Sequence, residues 1–194
     1  MLPGEGGEWK DLRLGDPVRI LVGSILVCLL GWVAWPAWAG PSTPPATESP
    51  GKELPDLGND HIPRLGAEHI PYNSEPPTSG PHMAGIAPWG AYDKPVPREY
   101  QVHNLEDGGV LIQYNCPKGC PDLIKKLESV FLKYKKRAET EKKFLHLILA
   151  PYPDMAARIA LTAWTRIDTF NDFDEARINR FIEAYIGIDH HKKK

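Results

Sequence analysis

Apolar and polar residues follow clear periods only in the second half of the chain, from Val102 onward. The run VLIQY at residues 110–114 comes directly after two glycines and predicts a strand. A helix is predicted from Pro121, because proline is favoured in the first helical turn and apolar residues follow it at intervals of one, three, three, one and three. The apolar positions of this helix are Leu123, Ile124, Leu127, Val130, Phe131 and Tyr134.

The remaining apolar runs predict two more strands and a second helix. Residues 144–150 form a run typical of a buried strand, and residues 159–164 form another. Asp172, with Glu175 three residues later, has the spacing of a capping box at the start of a last helix, which Gly187 would end. The order strand, helix, strand, strand, helix predicts an α+β domain with a small mixed β-sheet and two helices on one face.

The first half of the chain shows no such period and is rich in proline, with 13 of the 20 prolines between Pro41 and Pro97. Residues 40–60 are polar and predict a semi-rigid linker. Residues 61–101 are also irregular, but they contain four aromatic residues, which indicates a loop packed onto a domain. We therefore divide the chain into a targeting segment (1–39), a proline-rich linker (40–60), a single α+β domain (61–189) and a basic tail (190–194).

An uncharged apolar stretch at residues 20–39 follows several basic residues. The pattern Ala37-Trp38-Ala39 at its end is typical of a signal-peptide cleavage site. The stretch is also long enough to span a bilayer as an uncleaved anchor with one N-terminal transmembrane helix. Both alternatives place residues 40–194 outside the cytoplasm, in the periplasm or at the cell surface.

Charge and cysteine content narrow the function classes. The formal net charge is −2, which argues against a nucleic-acid partner because nucleic-acid-binding surfaces are normally basic. Cys116 and Cys120 are the two cysteines of the predicted exported part. In an oxidising compartment such a pair predicts a disulfide, with a thiolate metal or redox site as the alternative.

Histidines near the proline-rich turn indicate a metal site. His69 and His82 flank the sequence PPTSG, and His103 precedes the first predicted strand. Prolines that suit the fold reduce the entropy of the unfolded chain, so this turn would hold His82 ready for a ligand. Imidazole and thioether donors together suit copper, which adds Met83 as a ligand if the backbone bends between Met83 and His82.

The other histidines are interpreted differently. His61 belongs to the same irregular half but lies further from the turn. His146 falls in a predicted strand and is interpreted as a core histidine with satisfied hydrogen bonds. His190 and His191 belong to the basic tail HHKKK and are predicted to be solvated.

Several segments together resemble a known bacterial family. The segments are YNSEPPTSGPH, WGAY, VHNLEDGGVLIQYNCPKGC, APYP and ALTAW. Over roughly residues 61–187 they resemble exported or membrane-anchored proteins defined by a domain of unknown function, some of which have been linked to copper binding. The resemblance implies His69, His82 and His103 as motif histidines. The family commonly has HNLEHGG, so Asp107 replaces a second histidine and offers a harder oxygen donor.

These features predict a non-catalytic, extracytoplasmic protein that binds a copper ion and sequesters it or passes it to a partner protein. One alternative is a protein interaction module in which the histidines are structural. The other is a hydrolase in which His103 and Glu106 act as base and acid, or Ser79 acts as a nucleophile. The hydrolase has little support, because the sequence contains neither a G-x-S-x-G nor an H-E-x-x-H motif.

Overall fold

The computed structural model describes residues 48–191. The strands are β1 (Lys52–Glu53), β2 (His61–Ile62), β3 (His82–Met83), β4 (Gly90–Ala91), β5 (Val110–Tyr114), β6 (Leu147–Pro151), β7 (Ile159–Ala163) and β8 (Arg166–Phe170). The helices are α1 (Arg98–Glu106), α2 (Pro121–Arg137) and α3 (Glu175–Tyr185), with a 3₁₀ helix at Lys142–Leu145.

Six of these strands form one mixed sheet in the order β1-β8-β7-β5-β6-β4. β5 pairs with β6 in parallel and with β7 in antiparallel orientation, so both pairing types meet at the centre of the sheet. The strands β2 and β3 form a separate, two-residue parallel pair in which His61 lies opposite His82. The predicted α+β class with a mixed sheet is therefore confirmed.

One face of the sheet is covered by α2 and α3, the two helices predicted from their apolar spacing. Leu127 of α2 and Phe181 of α3 are fully buried, in one apolar cluster with Ile112 and Leu161 of the sheet. Burying each such side chain contributes about 1.5–3 kcal/mol to folding. This cluster is the main hydrophobic core of the described residues.

The opposite face is covered by α1 and by the irregular segment before it. Leu111 and Ile148 of the sheet belong to a second apolar cluster with Val102 and Leu105 of α1. The sequence prediction missed α1 and left its residues in a loop. The reason is that all residues from Gln101 to Glu106 are buried and four of them are polar, so the helix has no apolar stripe to reveal its 3.6-residue period.

Other local predictions also need correction. The cap of α3 is Asp174, whose side chain accepts a hydrogen bond from the Arg177 backbone N–H at 2.9 Å, and not Asp172. His146 precedes β6 because the chain forms a 3₁₀ helix over 142–145. The sequence prediction also missed β8, whose half-buried and exposed residues lack an apolar run. Part of the predicted linker is folded, since Lys52 and Glu53 pair with β8.

The proline-rich turn before β3 is packed onto the domain. Thr78 and Ser79 are fully buried, and the Tyr72 hydroxyl donates a hydrogen bond to the Pro81 carbonyl at 2.6 Å. Gly80 has a φ of +119°, and a Cβ atom there would lie 3.2 Å from the Tyr72 ring. Glycine suits both the backbone angle and the close approach. The chain therefore enters β3 along a fixed path.

The disulfide and the apolar N-terminal stretch both bear on the predicted export, and the structure describes the first but not the second. Cys116 and Cys120 form the predicted disulfide, with Cα atoms 5.7 Å apart. Within residues 48–191, no helix has the length and apolar character needed to cross a membrane. The stretch predicted as a signal or anchor, residues 20–39, lies outside the described residues, as do residues 192–194 of the basic tail.

Candidate metal centre

The elements β2, β3 and α1 bring three histidines and one glutamate to one place. His61 and His82 are paired across the two short strands. α1 packs beside β3 and supplies His103 and Glu106, which share a helix face because they are three residues apart. One candidate ligand atom from each of these four residues lies within 4.8 Å of the other three. We call this set the inner group.

The three imidazole rings of the inner group surround a common point. The ring centroids are 5.1 Å apart for His61 and His82, 4.9 Å for His82 and His103, and 5.4 Å for His61 and His103. His82 and His103 are buried, whereas His61 is exposed. The centre is therefore enclosed by protein around His82 and open to solvent beside His61.

Backbone carbonyls orient two of these rings. His82 Nδ1 lies 2.8 Å from the Gly80 carbonyl, and His103 Nδ1 lies 2.7 Å from the Met83 carbonyl. A carbonyl oxygen only accepts hydrogen bonds, so each Nδ1 must bear the proton. In the neutral rings Nε2 is then unprotonated, and in both residues it is the nitrogen that remains for a metal ion. A backbone hydrogen bond to Nδ1 is the usual support of a metal-binding histidine.

The buried pair of His82 and Glu106 is not satisfied by hydrogen bonds. His82 Nε2 lies 3.1 Å from Glu106 Oε2, but within the described residues neither atom has a partner in hydrogen-bond geometry. The side chains are 0% and 1% exposed. Glu106 Oε1, in contrast, accepts a hydrogen bond from Asn59 Nδ2 at 2.5 Å. An unpaired buried carboxylate oxygen is unfavourable, so this pair requires a proton or a cation between its two atoms.

Electrostatics favour the neutral form of His82. Burial lowers the pKa of His82 below its ordinary value of 6.5, while the hydrogen bond to Gly80 and the charge of Glu106 act in the opposite direction. The neighbouring His103 and His61 lower the pKa further. A neutral His82 directs a nitrogen lone pair at a carboxylate oxygen, and a bound metal cation would relieve this contact.

A second set of candidate ligands, which we call the outer group, lies towards solvent. It consists of His103, Asp107 and His191, again with one ligand atom each within 4.8 Å of the others. Asp107 Oδ1 is 3.8 Å from His103 Nε2 and 3.7 Å from His191 Nε2. His191 Nε2 is also 3.6 Å from Glu106 Oε2, so the two groups adjoin. His103 belongs to both.

Three of the five predicted metal ligands belong to these groups, namely His82, His103 and Asp107. His69 lies outside both groups. Its Nδ1 hydrogen-bonds with the Ile70 carbonyl at 2.7 Å, and its ring packs against another aromatic ring of the turn. In the ligand set proposed below, His61 therefore replaces His69.

Met83 was predicted to contribute its thioether sulfur, but the atom that contacts the centre is in its backbone. Its carbonyl oxygen accepts the hydrogen bond that orients His103. Met83 follows His82 in β3, and consecutive side chains of a strand point to opposite faces. This alternation would direct the thioether away from the face that His82 occupies, so we omit it from the ligand set and Met83 stays a sequence prediction.

Comparison with known proteins gives the family but no characterised relative. The family model described as a protein of unknown function (DUF3105) matches residues 65–194, more than half of the chain. The chain belongs to the DUF3105 family. No curated protein and no solved structure matches it. The expected domain of unknown function is confirmed, while the family's motifs and its link with copper remain expectations.

The DUF3105 match includes all candidate ligands except one. His82, His103, Glu106, Asp107 and His191 all fall within residues 65–194. His61 precedes the matched region. The inner group of this DUF3105 chain therefore combines three residues of the matched region with one residue from the segment before it.

Glu106, His61 and His191 were not predicted as metal ligands. The spacing His103-x-x-Glu106 would have indicated Glu106 if this part of the DUF3105 domain had been predicted as a helix. His61 is brought to His82 by a long-range strand pairing that no local spacing reveals. His191 was predicted to be solvated. It is exposed, yet its Nε2 faces two carboxylates.

The remaining histidines of the DUF3105 domain have structural partners. His146 Nδ1 lies 2.9 Å from the Asp107 carbonyl, and its ring stacks on Trp89 with centroids 4.8 Å apart. The hydrogen bond agrees with the prediction of a satisfied histidine, but His146 is half-buried and does not lie in the core. His190 is not fully solvated as predicted, because its ring stacks on Trp164 and burial lowers its pKa.

Ser79, the nucleophile of the hydrolase alternative, has a structural role in this DUF3105 domain. It is fully buried, and its hydroxyl oxygen accepts a hydrogen bond from the Leu57 backbone N–H at 3.0 Å. A buried hydroxyl that fixes a neighbouring loop is not accessible to a substrate. The geometry at Ser79 therefore gives the hydrolase alternative no support.

Proposed function

We propose that the protein binds one transition-metal ion at the inner group, with copper as the first candidate, and holds or delivers it without catalysing a reaction. The observation that supports this most directly is the unsatisfied contact between His82 Nε2 and Glu106 Oε2, 3.1 Å apart and buried. A cation that accepts both lone pairs would turn this unfavourable contact into two coordination bonds.

The donor set supports copper in its divalent state. The inner group offers three imidazole nitrogens and one carboxylate oxygen, and for such ligands the affinity order of divalent ions has its maximum at Cu²⁺. A thiolate donor from Cys116 or Cys120 is excluded because these residues form a disulfide. With Met83 omitted as well, soft donors for reduced copper are lacking from the inner group. Zinc, which also accepts three histidines and one oxygen ligand, is the competitor to test.

We also propose that the protein acts outside the cytoplasm. Disulfides are retained in oxidising surroundings, so the bond between Cys116 and Cys120 supports the expected location outside the cytoplasm. An extracytoplasmic copper protein of this kind would sequester the ion or pass it to a partner protein.

Metal binding can be tested with the full chain, purified in mild detergent without a histidine tag. Cu²⁺ titration followed by elemental analysis should give one ion per chain, and Zn²⁺ should bind more weakly. His82→Ala and Glu106→Gln should each lower the Cu²⁺ affinity at least about 100-fold.

His69→Ala is the matched control, because His69 lies outside both groups and should leave the affinity unchanged. If His82→Ala and Glu106→Gln both retain the stoichiometry and affinity of the wild type, the inner group is not the metal site. In that case Cu²⁺ binds elsewhere. A wild-type chain that binds no Cu²⁺ would instead favour the interaction-module alternative, in which the histidines are structural.

A further inference from the structure

The outer group of His103, Asp107 and His191 adjoins the inner group without being independent of it. His103 Nδ1 is occupied by the Met83 carbonyl, so Nε2 is its one nitrogen for a metal ion. Because His103 is a member of both groups, this one nitrogen would serve either of them. One ion can therefore occupy the inner or the outer position, and His103 can stay bound to it while the other ligands change.

On the side of the centre that faces the outer group, exposure increases from the inner to the outer ligands, whereas His61, the fourth inner ligand, is exposed on its own side. The exposed fractions of the side chains are 0% for His82, 1% for Glu106, 10% for His103, 29% for Asp107 and 46% for His191. A chelator or a partner protein in solution cannot reach His82 or Glu106 directly. It can reach an ion held by Asp107 and His191.

His191 is held in an orientation that suits a metal ligand. Its Nδ1 lies 2.7 Å from Asp189 Oδ1, and its backbone N–H donates to the same oxygen at 2.9 Å. The backbone N–H of His190 donates to the Glu106 carbonyl at 2.9 Å, which fixes this part of the tail beside α1. With Nδ1 engaged by a carboxylate, Nε2 faces Glu106 and Asp107, an arrangement common in metal-binding histidines.

We propose that the outer group is the loading and unloading position of the centre, through which the ion passes between solution and the inner group. This inference rests on the proposed metal binding at the inner group. During release, His191 Nε2 and Asp107 Oδ1 would form bonds to Cu²⁺ as the bonds to His61, His82 and Glu106 break, while His103 remains bound. The ion stays Cu²⁺ throughout, and the incoming chelator then displaces the outer ligands.

The structure provides a reporter for this movement. The Trp164 ring lies 6.4 Å from the His82 ring, close enough for bound Cu²⁺ to quench its fluorescence. Stopped-flow fluorescence of the full chain can therefore follow Cu²⁺ uptake, and the release of Cu²⁺ to excess EDTA. A Trp164→Phe variant identifies the part of the signal that comes from this residue.

The decisive variant is His191→Ala, with His69→Ala as the control histidine. His191→Ala should slow uptake and release together by about tenfold, equivalent to about 1.4 kcal/mol in each barrier, and leave the equilibrium affinity nearly unchanged. Asp189→Asn should slow both rates less, because it removes only the orienting carboxylate. His69→Ala should change neither rate.

Other results would overturn the inference. Faster release with lower affinity in His191→Ala would make His191 a permanent ligand of the bound ion, and unchanged rates would remove it from the path. Either result leaves the inner group as the metal site, provided that His82→Ala abolishes binding. If the wild-type chain binds no Cu²⁺, the proposed function fails, and this inference fails with it.

Discussion

The two faces of the sheet differ in what covers them and in what their buried residues do. The buried residues of the face under α2 and α3 are hydrophobic, with Leu127 and Phe181 fully buried. The face under α1 and the proline-rich turn includes buried polar side chains, among them His82 and Glu106. The first face stabilises the fold by burying apolar surface, whereas the second tolerates an unsatisfied polar contact. Such a contact is expected where a protein binds something that the chain itself does not supply.

The largest expected effect concerns the apolar face alone. Phe181→Ala should destabilise the apoprotein by about 3–5 kcal/mol, because it removes a fully buried ring and leaves a cavity. Urea denaturation of the full chain measures this change, and Leu132→Ala at an exposed position of α2 is the matched control. The copper stoichiometry of folded Phe181→Ala should stay at one. Loss of copper from the folded variant would contradict the separation of the two faces.

Removing the disulfide should also destabilise the apolar face, by a smaller amount. Cys116 and Cys120 pack against the apolar cluster and close a short loop before α2. Replacing both by serine should destabilise the protein by about 2 kcal/mol, the chain-entropy estimate for so short a loop. The urea midpoint measures the loss. Copper affinity should not change, and a marked decrease would indicate that the disulfide also supports the metal centre.

On the polar face, Glu106→Gln should stabilise the apoprotein, whereas the two changes on the apolar face should destabilise it. The amide oxygen can keep the hydrogen bond from Asn59, while the new amide N–H₂ can donate to His82 Nε2. The apoprotein should therefore gain about 1 kcal/mol of stability, even though the variant loses copper binding. Glu139→Gln at an exposed site serves as the control. A destabilised apoprotein would show that the contact between His82 and Glu106 is already satisfied.

The smallest effect is the pH dependence of apoprotein stability. The pKa of His82 is lowered by burial, so the folded chain binds fewer protons than the unfolded chain as the pH falls below 6.5. Stability should therefore decrease with falling pH in that range, and His190, whose half-buried ring also has a lowered pKa, acts in the same direction. His191, whose pKa is raised by Asp189, acts in the opposite direction but is largely solvent-screened.

Urea midpoints at about pH 5 and about pH 7.5 can test this dependence on either side of the ordinary histidine pKa. His82→Gln, which cannot titrate, should show a smaller difference between the two conditions than the wild type. An equal difference in both proteins would mean that His82 titrates at its unfolded value.

The same contrast between the faces explains how much the sequence revealed. The helices α2 and α3 were predicted because each has one apolar and one polar side, a pattern that can be recognised in a single sequence. α1 was missed because it is buried around its whole circumference from Gln101 to Glu106. His82 and His103 could be selected from local sequence, but the pairing of His61 with His82 depends on strands separated by a loop. Glu106 became recognisable only once its helix was known.

The short pairing of β2 with β3 has a further consequence for the chemistry of the centre. His61 is the exposed member of the inner group and lies in a two-residue strand before the DUF3105 match. The segment that carries it is also held by the pairing of β1 with β8 and by the hydrogen bond from Leu57 to Ser79. Withdrawing β2 would leave three protein ligands and admit a water molecule to the fourth position. Coordination of this kind is typical of reactive rather than storage sites. In the proposed centre, the attachment of β2 would therefore determine whether the ion keeps four protein ligands or gains a water ligand.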